Sequence, residues 1–348
     1  MKRSELVKTL ELVEPALADD NLIAVYTCFM FKQKSISAYN DKLAIIAKGG
    51  LPTPEPFATA GKPLLGLLQN SHAEEVDFEA TKECLVVKTG KSTFRLPYMK
   101  QDEFLFEEPK EKWASTLTLN ESILKGVEIC LTTASTDLSK PAFLGVCFKF
   151  DKNGLTMFST DGDAITRYTS KTNVKGDESF TVPNGFCEAL LKICRETDTN
   201  QGTLQLNTNW ALATLNNGFR LYGRMILNDK PVNHQQVIDE TLNYEQPFVD
   251  LPLGLRDALA RARVVADIES AKTVMQVDGT KLKLITDTHM GTVRDELRIK
   301  NQKDIAAVVH ASLVQRSLEV CDQISIRDNC TAYKLEDKVL QVVANVGA

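Results

Sequence analysis

Three segments with the apolar spacing of an amphipathic helix recur at about one third of the chain length, and this repeat restricts the fold more than any other feature of the sequence. They are SELVKTLELVEPAL (4–17), NESILKGVEICLTTA (120–134) and LGLRDALARARVVA (253–266). Each is followed by a strand-like pair reversing at an acidic turn: SISAYNDKLAIIAKG (35–49), LTMFSTDGDAITRYTS (155–170) and LKLITDTHMGTVRDEL (282–297). The turn residues Asp41, Asp161 and Asp287 lie 120 and 126 positions apart. A second short helix follows in each third, KPLLGLLQNS (62–71), NGFCEALLKICRE (184–196) and HASLVQRSLEVCD (310–322), and then alternating strands. Units of about 115 residues have the size of domains rather than of solenoid repeats. The proline-containing stretches FEEPKEKW (106–113) and LNYEQPFVDLP (242–252) are the candidate joints. The expectation is an α+β chain of three similar domains, 1–110, 111–243 and 244–348, each with two helices packed on β-sheets.

At 348 residues and 43% hydrophobic the chain can bury several cores. It has no 18-residue apolar run, and Glu5, Glu11 and Glu14 fall within the first helical period, so neither a membrane span nor a signal peptide is expected and the protein reads as cytoplasmic. Eight cysteines occur without a CxxC pair, mostly inside apolar segments, which argues against disulfides and zinc. The net charge of -5 offers no global attraction for nucleic acid, so any such contact must come from a local basic surface.

The acidic turns raise an enzymatic alternative, since Asp161, Asp163, Asp287 and His289 are hard-metal ligand types. A calcium loop starting at Asp151 fails, because DKNGLTMFSTDG has Gly at positions 4 and 12 and no Glu at 12. No nucleophile elbow, HExxH or phosphate-loop pattern occurs, and the four histidines are not at metal spacing. Asp and Gly are also what a tight reversal between strands demands. No catalytic residue, metal or cofactor is therefore expected.

The middle-third stretch STDGDAITR (159–167) is similar to the ATDGHRLA-like segment of bacterial-type DNA sliding clamps, the β subunit of the replicative polymerase. VPNGFCEALLKI (182–193), NDKPVNHQQVI (228–238), LARARVVADIESAKTVMQV (259–277) and KTGKSTFRLPYMKQDEF (88–104) match in order and spacing. The chain thus resembles that family over nearly its whole length, as a divergent or phage-encoded member. The resemblance implies a DNA clamp fold forming half of a six-domain ring, closed head to tail as a homodimer around double-stranded DNA. It also implies that the ring tethers the replicative DNA polymerase and is served by a clamp loader, with no sequence reading and no chemistry. The alternative is a clamp-fold monomer that acts as scaffold or decoy for replication proteins without encircling DNA.

If the recurrent helices line a hole, their exposed faces should carry basic residues. Leu255, Ala258, Leu259 and Ala262 form an apolar stripe that leaves Arg256 and Arg263 on one line with Arg261 beside it. Phe186, Leu190 and Ile193 form another that leaves Lys192 and Arg195, and Lys8, Lys125 and Arg316 are single candidates. The bland reading is a set of solvated helix faces with local pairs such as Glu188 to Lys192. By resemblance, a hydrophobic pocket for partner peptides falls on Thr160, Gly162, Asp163, Ala164 and Ile165, with Phe143, Pro231 and Val237 nearby and Val342, Ala344 and Val346 from the last strand. Asp163 and Ala164 stand where the family has His and Arg, and 344–347 depart from its Met-Pro-Met-Arg ending. Ring closure implies Phe94 and Leu96 facing Val264 and Val265 of a second copy, although all four could equally be core.

Overall fold

The computed structural model describes residues 1–19, 22–50, 55–81, 84–100, 104–151, 154–172, 174, 178–226, 232–242, 246–266 and 272–347. It divides into two compact units, one of Met1–Leu124 with Phe180–Leu227 and the other of Lys125–Ser179 with Asn228–Ala348. Seven α-helices occur among the described residues: α1 (Arg3–Val13), α2 (Gly61–Gln69), α3 (Glu121–Leu131), α4 (Asn184–Glu196), α5 (His234–Thr241), α6 (Leu255–Val265) and α7 (Ala311–Leu318). Six of them are the helices read from periodicity. Helix α1 stops short of residue 17 because Pro15 removes a backbone donor, and the chain tightens into a 3-10 turn at Glu14–Ala16. The apolar stripes are buried as expected: Phe186, Leu190 and Ile193 on α4, and Leu255, Ala258, Leu259 and Ala262 on α6.

In the first unit one sheet runs through strands of two successive thirds. Its centre is Ser35–Tyr39, Leu43–Lys48, Arg220–Arg224 and Trp210–Leu215, in that order. Leu43–Lys48 pairs antiparallel with Arg220–Arg224, Ala44 opposite Tyr222. The second unit repeats this join with Gly154–Thr160, Ala164–Ser170, Val339–Ala344 and Cys330–Leu335, where Ile165 stands opposite Val342. Two smaller sheets end in open edges. Ser92–Leu96 is the last strand of a three-stranded sheet in the first unit, and Gly291–Arg298 is an outer strand of a four-stranded sheet in the second.

Two of the three acidic turns prove to be equivalent, in a shifted register. Asp161 Oδ1 accepts from the backbone N–H groups of Asp163 (3.0 Å) and Ala164 (2.8 Å), closing the Thr160–Ala164 reversal with Gly162 at φ 103°. In the first unit the same work is done by Asn40, whose Oδ1 accepts from Lys42 N (3.2 Å) and Leu43 N (2.9 Å). Asp41 itself occupies the left-handed position, φ 75°, that Gly162 fills in the other turn. Asp287 is not a turn residue: it lies within Lys281–Thr288, paired with Thr292, and the chain reverses between Thr288 and Gly291. Its Oδ1 accepts the Thr292 hydroxyl at 2.7 Å, a cross-strand role.

Helix α5 has no counterpart in the repeat and no clear periodicity in sequence. It is capped by Asn233, whose side chain accepts from Gln236 N, and anchored by buried Ile238 and His234. The His234 ring stacks on Phe158, centroids 5.3 Å apart, and burial pulls its pKa from 6.5 down to about 4. Folded His234 therefore stays neutral down to about pH 4, while in the unfolded chain it takes up a proton near pH 6.5. Its contribution to stability is complete above pH 6.5 and is lost as the pH falls towards 4, at about 1.4 kcal/mol per pH unit. Urea unfolding of His234→Phe across pH 4–7 should show a flatter profile than the parent in that window; parallel profiles would mean the ring is not held neutral.

Candidate nucleic-acid and partner interfaces

The two sheet joins have matched registers, so their side-chain rows can be compared position by position. Successive residues of a strand point to opposite faces. On one face of the first join the row is Ala38, Ile45 and Leu221, all fully buried. The corresponding row of the second join is Ser159, Thr166 and Gln341, equally buried but polar. Ser159 Oγ donates to Cys130 O (2.6 Å) and lies 2.7 Å from Thr133 Oγ1, and Gln341 Nε2 donates to Thr166 Oγ1 (3.1 Å) and Thr132 Oγ1 (3.3 Å). These bonds offset the cost of burying polar groups and tie the sheet to the end of α3.

The opposite faces differ more. In the first join the row is Tyr39, Ala44, Tyr222 and Leu212, with Trp210 and Arg224 paired beside it. Phe106 fills this face, its ring 5.0 Å from Tyr39 and 5.2 Å from Tyr222, and Phe104 and Trp113 pack on the same cluster. Arg220 and Tyr222 both bond Glu108, at 2.5 and 2.7 Å, which fastens the covering segment. In the second join the same positions are Thr160, Ile165, Val342 and Ala332, with Cys330 and Ala344 paired beside them. Every aromatic of the first face has been replaced by a small or β-branched residue. Ile165 and Val342 lie in a cluster with Phe158, Leu340 and Ile238, and Phe248 packs against it.

Most of the residues expected for a peptide pocket gather on this second face. Thr160, Ile165 and Val342 form its row, and Ala344 is exposed next to them. A Cβ built on Gly162 would stand 3.4 Å from Lys140 Nζ and 3.7 Å from Phe143 Cε2, so both side chains lie against the turn. Asp163 is exposed and its carbonyl accepts Ala344 N–H at 2.8 Å. Val237 is exposed on α5 beside Ile238, and the half-buried Val346 bonds Val308 O through its backbone at 2.7 Å. Ala164 departs from the expectation: it pairs with Val343 and points to the opposite face, because one residue along a strand reverses the side chain. Pro231 lies outside the described residues. The covering residues Ile238 and Phe248 were not foreseen; a capped Asn-x-x-Gln start at 233 was the available signal for α5.

The basic residues assigned to helix faces fall into three groups. Lys8 and Arg195 are exposed, as is Lys125, which pairs with Glu128 one turn along α3 at 2.9 Å. Arg256 and Arg263 share one line that faces α7, where Arg256 donates to Leu318 O (2.6 Å) and Arg263 to Gln315 Oε1 (2.6 Å). Arg261 leaves that line and grips Asp295 on the edge strand Gly291–Arg298, at 2.7 and 3.3 Å. Lys192 and Arg316 are the third group and do not project as free cations. Lys192 Nζ donates to Glu11 O on α1 at 2.8 Å, and Arg316 donates to Thr132 O just beyond α3 at 2.9 Å. A carbonyl at a helix C-terminus lacks an intrahelical partner and carries negative partial charge, so a nearby cation is held there. Of the edge residues, Leu96 is already buried in its own sheet, Phe94 and Val265 are half-buried, and Val264 is exposed.

No family model matches the chain, and no curated protein sequence does. Solved structures do. The chain is similar to the DNA polymerase III β subunit of Thermotoga maritima at TM-score 0.87 and 18% identity, covering 100% of this chain and 98% of that one. It is similar to the β sliding clamp of C. crescentus at TM-score 0.88 and 15% identity, again covering 100% and 98%. A sliding clamp from Pseudomonas aeruginosa, solved bound to griselimycin, matches at TM-score 0.87, 16% identity and the same coverage. Repeat order, sheet joins and end-to-end superposition agree: the chain has the fold of the DNA polymerase III β sliding clamps.

Proposed function

We propose that this protein is a DNA polymerase processivity factor: a homodimeric ring that encircles duplex DNA and tethers the replicative polymerase, placed by a clamp loader in the cytoplasm and performing no catalysis itself. The observation that carries this reading is the coverage, since clamp structures superpose on all of this chain at TM-scores from 0.84 to 0.88 with nothing of substance left over on either side. The three domains would be 1–110, 111–243 and 244–348. The open edges Ser92–Leu96 and Gly291–Arg298 would pair between copies, with Phe94 and Val264 covered on closure, because an unpaired strand edge is a template for another strand. Lys8, Lys125, Arg195, Arg256 and Arg263 would supply a sparse cationic lining. The row Thr160, Ile165 and Val342, rimmed by Phe143, Val237 and Ala344, would receive partner peptides.

A ring requires a dimer of about twice the 38.6 kDa chain in native mass spectrometry, whereas a scaffold or decoy would remain at the monomer mass. The ring should stay on nicked circular DNA at a salt concentration that removes it once the circle is cut, because linkage rather than affinity retains it. Equal retention on circular and linear DNA would refute the topological mechanism.

Griselimycin, seen with the clamps of Pseudomonas aeruginosa and Bartonella birtlesii, serves as the test ligand for the peptide face. Titration calorimetry should detect binding to the parent chain, with Val237→Asp and Phe143→Ala each weakening it roughly tenfold, about 1.4 kcal/mol. Unchanged affinity in both variants would put the ligand elsewhere.

A further inference from the structure

We propose that Arg316 is a positioning residue for the partner face and not a DNA contact: it holds Asp161, and through Asp161 it sets the Thr160–Ala164 turn. Both terminal nitrogens of its guanidinium have protein acceptors. One donates to Thr132 O at 2.9 Å, and the other lies 3.5 Å from Asp161 Oδ2. The two oxygens of Asp161 divide the work. Oδ1 accepts the N–H groups of Asp163 and Ala164, while Oδ2 is turned to Arg316. The Asp161 carbonyl accepts from Lys140 Nζ at 3.3 Å, and the Thr160 hydroxyl closes the same turn by donating to Ala164 O at 2.7 Å and accepting Gly162 N–H at 3.1 Å. A shift of the carboxylate therefore moves Thr160 and Gly162, the turn's contribution to the face, and releases Lys140 beside Phe143.

The other sheet join is an internal control. There Lys192, one of two cations on the corresponding helix, bonds the α1 carbonyl of Glu11, and the residue that closes the turn is the uncharged Asn40. Asn40 closes its turn with the same pair of backbone bonds, so a carboxylate is not needed for the reversal itself. The first turn also holds a charged pair, Asp41 with Arg224 at 3.7 Å, but there the cation comes from the neighbouring strand Arg220–Arg224, whereas at the second join it comes from helix α7. Arginine suits that join because its planar fork serves two acceptors in fixed geometry, which the single ammonium of lysine does not.

This inference rests on the partner face proposed above, and the experiment keeps the two apart. Arg316→Ala, Arg316→Lys, Asp161→Asn and the double variant Arg316→Ala/Asp161→Asn are compared for griselimycin affinity, for the salt slope of DNA binding, and for amide exchange at Asp163 and Ala164. Arg316→Ala should weaken griselimycin roughly tenfold, Arg316→Lys should recover little, and the double variant should lose no more than the worse single one. Exchange at the two amides should accelerate in Arg316→Ala while the salt slope stays that of the parent. A reduced salt slope with unchanged griselimycin affinity and unchanged exchange would return Arg316 to the DNA lining and overturn the proposal. If the parent does not bind griselimycin, the partner face loses this support, and amide exchange alone still decides whether Arg316 sets the turn.

Discussion

Everything else in this molecule hangs on two antiparallel pairings, Leu43–Lys48 with Arg220–Arg224 and Ala164–Ser170 with Val339–Ala344. Each joins a strand of one repeat to a strand of the next, so backbone groups that would form an exposed edge are satisfied within the chain. The same ladders fix which residues share a face, since a slip of one position would invert every side chain. Helices α1 and α4 lie against the first unit's sheet system, and Arg316 of α7 reaches the end of α3 in the second. The joins therefore position both the helix faces and the row that includes Ile165.

The two joins are built alike and finished differently. At the first, Ala38, Ile45 and Leu221 make an apolar interior row, and aromatic residues of the chain's own connecting segment cover the outer row. Each Å² of apolar surface removed from water there stabilises the join by about 25 cal/mol. At the second, the apolar row is replaced by Ser159, bonded to Cys130 O and Thr133, and by Thr166 and Gln341, bonded to each other, and the outer row is reduced to Thr160, Ile165, Val342 and Ala332. Buried hydrogen bonds contribute little net stability but demand a single geometry. The two copies of one architecture thus differ in what covers the outer row: aromatic residues of the connecting segment at the first, Ile238 and Phe248 at the second.

Much of this was legible in the sequence, and the parts that were not share a cause. Six helices followed from apolar spacing, because their buried stripes are set by local periodicity. Helix α5 did not, since only His234 and Ile238 are buried in it and the rest is polar apart from the exposed Val237. Asp41 and Asp161 looked equivalent by identity, but the hydrogen bonds make Asn40 the partner of Asp161: the turn selects a side-chain oxygen, which Asn and Asp both provide. Asp287 misled for the same reason, being an acidic residue near a reversal but inside the strand. Arg316 and Lys192 lie on helix faces that periodicity marks as outward, yet their acceptors come from helices more than a hundred residues away in sequence, a distance that no local pattern spans.

The same long-range contacts bear on how a ring of this chain would hold DNA. Arg256 and Arg263 reach acceptors on α7, Arg261 is paired with Asp295, and Lys125 with Glu128, on a body of net charge -5. Some of their donors are thus directed at protein, and the attraction to phosphate is screened over a Debye length of about 10 Å. Affinity for DNA would accordingly be low and strongly screened by salt, which suits motion along the duplex and leaves retention to closure of the ring. In such a ring the open edges Ser92–Leu96 and Gly291–Arg298 would weigh more than any lysine or arginine on the helices, because a tether that slides would be held by its own covalent and strand-paired continuity rather than by what it touches.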